Sequence, residues 1–192
     1  MLIVGFVSSC EKPDEPVAPA TVQGQTANLG VFYEYQEYYN ILSNQFVLNQ
    51  EHIGWDLSFE SDAEGSFIYL NSSNFMYVRN VGSVTFESVM DTSYSEPWRY
   101  DFPTGQSNRL AFGYWFNTDK TSKNDIYIVN QGKAVDGSDI GFFKIQILNV
   151  NTTEYIIRTA RLDNSEDKTI TITKNSDKRW VQYKFGDASA AE

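Results

Sequence analysis

What most constrains this chain is a set of four short runs towards its C-terminus, residues 142–150, 154–162, 169–174 and 179–185, in which apolar and polar residues alternate. Period two is the side-chain spacing of a pleated strand with one face buried, whereas a helix repeats its apolar residues every three or four positions. The runs are separated by Asn149-Val150-Asn151-Thr152, Asp163-Asn164-Ser165-Glu166 and Asn175-Ser176-Asp177. Such side chains bond their own backbone and tolerate left-handed conformations, as hairpin turns require. The pattern predicts an antiparallel meander of four strands.

Upstream, Trp55, Leu57 and Phe59 fall on one face of a run that puts Asp56 and Ser58 on the other. Residues 67–70, 84–89 and 109–116 continue the strand pattern between turns rich in Asn, Ser and Gly. No stretch sustains helical spacing. Residues 33–42 come nearest to a short helix, and Tyr38-Tyr39 suit a strand equally. An aromatic share of 15% favours pleated surfaces. These signals predict an all-β fold, a single antiparallel β domain over residues 30–186 with a short frayed tail at 187–192, a size that suits one sizeable core.

The first ten residues read differently. A short apolar run ends at Val7-Ser8-Ser9-Cys10, the order of a bacterial lipoprotein signal: an apolar segment for export, small residues for the peptidase, and a thiol for lipid attachment. Residues 2–7 are shorter than the usual apolar region of about 7–15 residues and no Lys or Arg precedes them, which points to a start upstream of Met1 or a trimmed signal. Residues 11–29, with Pro13, Pro16 and Pro19 among small and polar side chains, read as a flexible tether. Glu11, Asp14 and Glu15 suit export to the outer face of an outer membrane, although any acidic linker has the same composition. The expected localisation is the outer membrane, lipid-anchored and surface-exposed.

Composition narrows the function classes. With 25 acidic against 15 basic residues the net charge is -10 and the bases are scattered, so phosphate backbones are repelled and nucleic acid is not an expected partner. Anionic lipid headgroups are repelled too, leaving the acyl anchor as the expected membrane contact. Cys10 is the single cysteine, which removes intrachain disulfides and thiol-based catalysis or metal clusters. No other run approaches the roughly 18 apolar residues of a membrane helix.

Five segments carry a resemblance. Tyr38-Tyr39-Asn40-Ile41-Leu42, WDLSF at 55–59, FIYLNSS at 67–73, IYIVNQG at 126–132 and FFKIQIL at 142–148 occur in the order found in the HmuY family of surface lipoproteins. The chain resembles that family from about residue 30 to residue 185. The resemblance implies an all-β fold likened to a right hand and a surface protein that captures haem and passes it to a TonB-dependent outer-membrane receptor. Its best-known members hold the iron through paired axial His or Met side chains in the second half of the domain. This chain has neither residue after Met90, so no family ligand carries over.

Candidate binding residues are therefore weighed on their own chemistry. His52, three residues before Trp55, is the only imidazole available to haem iron or another metal, and otherwise an ordinary turn residue. Met76 and Met90 offer thioethers, but core filling is the expected role of both. Trp98, Tyr100 and Phe102 alternate between Pro97 and Pro103 and are expected to project from one face, as a stacking wall for a flat apolar ligand or as ordinary packing. Tyr114-Trp115-Phe116 are consecutive and so cannot form one wall. Asp136-Gly137-Ser138-Asp139 and Asn117-Thr118-Asp119 carry oxygen donors without the spacing of a calcium loop.

Catalytic signatures are missing. There is no GxSxG elbow, P-loop or dinucleotide fingerprint, and nothing singles out a carboxylate pair. The expectation is a non-enzymatic binding protein, haem being the ligand the resemblance implies. The alternative is a relative without haem coordination that serves as a protein- or glycan-interaction module.

Overall fold

The computed structural model of the protein describes residues 24–187; the signal with Cys10, most of the tether and the end of the tail lie outside the described residues. Ten strands follow in chain order: β1 Tyr35–Asn40, β2 Gln45–Glu51, β3 Leu57–Glu60, β4 Ile68–Leu70, β5 Tyr77–Gly82, β6 Ile126–Asn130, β7 Phe142–Val150, β8 Glu154–Arg161, β9 Lys168–Thr173 and β10 Trp180–Tyr183. Three short 3-10 turns at Ser72–Asn74, Phe86–Ser88 and Ser107–Arg109 are the helical pieces among the described residues. The fold is all-β, as the alternation predicts.

Every strand pairing is antiparallel, in three sheets: the β1–β2 hairpin, a three-stranded sheet in the order β10-β3-β4, and a five-stranded sheet in the order β5-β6-β7-β8-β9. Alternation explains how the two larger sheets meet. Leu57 and Phe59, Ile68 and Leu70, and Val181 and Tyr183 turn inward from the small sheet onto Tyr127, Val129, Ile145, Tyr155 and Ile157 of the large one, in one continuous core. The opposite face of the large sheet carries a second cluster, in which Ile126, Ile128 and Ala160 are covered by Phe86 and Val89 with Trp98 and Tyr94 beside them. β6 is thus buried on both faces. That is why Ile126-Tyr127-Ile128-Val129 reads as an unbroken apolar run and not as an alternating one.

Lys144 belongs to this second face. It is fully buried, its ammonium donates to the carbonyls of Phe86 at 3.0 Å and Val89 at 2.9 Å and to Asn164 Oδ1, and it lies over the Phe86 ring. The loop that caps the sheet is held by a charge placed where a purely apolar strand would offer no acceptor-seeking group.

Several expectations are corrected. The C-terminal meander runs only from β7 to β9; residues 179–185 leave it, and β10 pairs with β3. Residues 84–89 form a loop with a 3-10 turn. Residues 110–116 are a loop and not a strand, buried except at Tyr114 and turning at Gly113 with φ +59°. Residues 33–42 supply β1, with no helix. Trp55, expected in the core beside Leu57 and Phe59, precedes the strand and is only half-buried. Asp56 and Ser58 are buried like their neighbours. Met76 does fill the core, 2% exposed in the main cluster, whereas Met90 is 59% exposed, which rules out core filling for it.

Candidate ligand groove

Inward residues of the three-stranded sheet build the core, so the residues between them must face out. Gln182 pairs with Ser58 and Ser58 with Tyr69, which sets these three side chains in a row across β10, β3 and β4. Trp180 stands diagonally from Tyr69, its ring 6.1 Å from the phenol in an edge-to-face contact. An open sheet face would leave these rings in water. Here two further elements rise on either side and turn the face into the floor of a groove.

One wall is the β1–β2 hairpin, contributing Tyr38, Leu48 and Gln50, and it is joined to the floor where Gln50 Nε2 donates to Gln182 Oε1 at 2.8 Å. The other wall is the segment Tyr100-Asp101-Phe102-Pro103. Asp101 fixes that segment: its carboxylate accepts the backbone N–H of Leu70 and of Ala111, each at 2.7 Å. Burial nonetheless pushes the Asp101 carboxyl above its usual range, the two amide bonds only partly offsetting it. Tyr77 and Tyr100 meet edge to face at 6.2 Å, and the Arg109 guanidinium covers the back of Phe102 at 3.5 Å. Met76 closes one end, nearly fully buried.

The open groove has a volume of ≈ 820 Å3, within the range of about 300–1,000 Å3 typical of small-molecule sites. Its lining is aromatic with a few amides and hydroxyls. Tyr69 is not a ready phenolate, because burial first, then the charge and hydrogen bond of Glu60, push its pKa up to about 12.

The structure separates the residues singled out by sequence. Tyr100 and Phe102 line the groove, but Trp98 does not share their wall; it packs in the second cluster, 6.1 Å from the Phe142 ring and beneath the Arg79 guanidinium. A single bridge explains the split, since Arg99 exchanges both backbone hydrogen bonds with Val78 and the chain crosses from one sheet face to the other at that point. His52 is also outside the groove. It is 8% exposed at the turn after β2, its backbone N–H donates to Glu34 O at 2.8 Å and its carbonyl accepts Asn71 Nδ2, so it ties the root of the hairpin to the body. The Asp136 carboxylate accepts from Ser138 and Asp139 pairs with Lys133 at 2.7 Å, as an ordinary hairpin turn does. Asp119 accepts from Thr121 in the same manner.

Tyr38, Trp55, Tyr69, Tyr77, Trp180 and Gln182 went unrecognised as site residues from sequence. Their signal was available in part: Tyr69 and Trp180 are large aromatics at the outward positions of a period-two pattern, where polar residues are the rule. Among the described residues no group of three or more His, Cys, Asp or Glu stands together as a metal cage, and no helix is long and apolar enough to cross a membrane. Comparison with protein-family models, curated proteins and solved structures finds no match.

Proposed function

We propose that this chain is a non-enzymatic binding protein, held at the cell surface through Cys10, whose groove takes a flat and largely apolar molecule of the haem class. The observation that carries this reading is the groove itself: aromatic rings of Tyr69, Trp180, Tyr77, Tyr100 and Phe102 on a rigid sheet floor and a pinned wall, around ≈ 820 Å3. The ordered HmuY-like segments supply the ligand class and, with it, delivery to a TonB-dependent receptor.

Binding rests on stacking and apolar burial and not on paired axial ligation. The His52 imidazole is buried at the hairpin root, outside the groove, with Nδ1 3.3 Å from Glu34 O, while Met90 stands in solvent and Met76 is a lone thioether. The test is a haem titration followed by absorbance. A broad Soret band, unchanged in His52→Ala and weakened in Trp180→Ala, is the expected result. A six-coordinate low-spin spectrum that collapses in His52→Ala would overturn it.

The amide pair Gln50–Gln182 and the hydroxyl of Ser58 beside these rings favour a second reading, a glycan-binding module in which the rings stack on sugar faces. Oligosaccharide binding that haem fails to displace, with no Soret change on haem addition, is the outcome that selects it.

A further inference from the structure

The β1–β2 hairpin carries more apolar surface than the groove uses. At its tip Ile41 is 85% and Leu42 98% exposed, and neither lines the groove as Tyr38 and Leu48 further down the strands do. Behind them Tyr39 and Phe46 pair edge to face at 5.1 Å. From Tyr38 to Gln50 there is no charged residue, in a chain of which 21% is charged and whose net charge is -10. A tip meant for water would not be built this way.

The tip is also formed rather than frayed. Asn40 Oδ1 accepts the backbone N–H of Leu42 at 2.9 Å and of Ser43 at 3.2 Å, the Tyr39 hydroxyl donates to Asn44 Oδ1, and Gln25 Nε2 donates to Asn44 O at 2.6 Å. Polar groups of the turn thus find partners within the protein, which lowers the cost of moving it out of water. The last of these bonds also locates the tip. It places Gln25 beside Asn44, and Cys10 is fifteen positions upstream of Gln25. Fifteen residues reach at most about 50 Å, so the tip lies within reach of a bilayer that holds a lipid on Cys10.

We propose that this tip is a second membrane contact: Ile41 and Leu42 enter the interfacial layer of an electrically neutral bilayer, with Tyr39 and Phe46 at headgroup depth, where aromatic side chains are favoured. The acidic chain makes a zwitterionic surface the fitting one, since anionic headgroups would repel it. The contact would also set the groove, one wall of which is this hairpin, close to the membrane. The proposal uses the lipidated reading of Cys10 only for proximity, and the assay below works without the lipid.

The full chain carrying Cys10→Ser is mixed with phosphatidylcholine–phosphatidylethanolamine vesicles and the bound fraction measured by flotation, beside the same chain with Ile41→Ser and Leu42→Ser added. Circular dichroism of both checks the fold. The tip variant is expected to partition at least about tenfold less, as burial of two aliphatic side chains predicts. Binding should persist at high salt, and Phe32→Ser, also exposed but at the root of the hairpin, should leave it unchanged. No binding by the Cys10→Ser chain, or equal binding by the tip variant, overturns the proposal. So does a tip-dependent dimer in sedimentation without vesicle binding, which would make a second copy of the chain the occupant. Whether Cys10 is lipidated is read separately, from membrane fractionation of Cys10→Ala cells.

Discussion

Gly132 lies so close to Asn74 that a Cβ added to it would stand 1.6 Å from the Asn74 carbonyl oxygen. The same carbonyl accepts the Lys133 N–H at 2.8 Å, and Gly132 has φ +78°. This backbone-to-backbone contact holds the 3-10 turn at Ser72–Asn74, with Phe75 and Met76 after it, against the end of β6. Neither the close approach nor the left-handed angle admits a side chain. Gly132→Ala should therefore destabilise the protein by more than about 3 kcal/mol in urea unfolding and deform the Met76 end of the groove. A loss below about 1 kcal/mol would mean that the turn is free to shift.

Lys144 offers a separate test of the second cluster. Its ammonium is buried among two carbonyls and an amide oxygen. Lys144→Met keeps the volume and should cost about 1–3 kcal/mol, the worth of hydrogen bonds to a charged group. Lys144→Ala adds a cavity beside Phe86 and should cost about 3–5 kcal/mol. A near-neutral Lys144→Met beside a costly Lys144→Ala would show that packing, not the bonds to the Phe86–Val89 loop, is what the lysine provides.

Asp56 makes a prediction about pH. Its carboxylate accepts the Phe185 N–H at 2.8 Å and Gln131 Nε2 at 3.3 Å, yet burial outweighs these bonds and raises its pKa above the ordinary 3.8. A carboxyl raised in the folded state contributes stability that is complete below the unfolded value and is lost as pH climbs through the folded one. Relative to Asp56→Asn, which does not titrate, the wild-type protein should lose stability as pH rises through the window above the ordinary carboxylate value of 3.8. Urea midpoints of the two proteins across that window check the sign. A difference that grows with pH would mean that the bonds to Phe185 and Gln131 outweigh burial.

What was legible in the sequence, and what was not, follows from the range of the signals. Alternation in residues 142–150, 154–162 and 179–185 reports which face of a strand is buried, and Val181 and Tyr183 are indeed inside. It carries no information on which strand lies alongside, so the pairing of β10 with Leu57–Glu60, more than a hundred residues upstream, had no local trace. Residues 109–116 misled because a buried loop is as apolar as a strand: Ala111 is held by Asp101, ten positions away, and Trp115 Nε1 donates to Ser66 O at 2.8 Å across 49 positions. The groove was legible only at Tyr100 and Phe102. Its floor depends on three strands whose order is set by those same distant pairings.

The separation of Trp98 from Tyr100 gives the sharpest check on where the ligand surface lies. Alternation alone puts Trp98, Tyr100 and Phe102 on one wall, whereas the Val78–Arg99 bridge sends Trp98 to the Phe142 side of the large sheet and Tyr100 to the groove. Trp98→Ala should lower stability by about 2 kcal/mol, through lost packing on Phe142 and the lost Arg79 stacking, while the folded fraction binds ligand as wild type does. Tyr100→Ala, with 57% of its residue surface exposed, should leave stability within about 1 kcal/mol and weaken ligand about five- to thirtyfold, the effect of one stacking ring with its buried area. Titration with haem, or with whichever flat ligand binds first, measures both. Should Trp98→Ala abolish binding while Tyr100→Ala spares it, the ligand surface is on the opposite face of the large sheet and the groove between hairpin and floor is not the site.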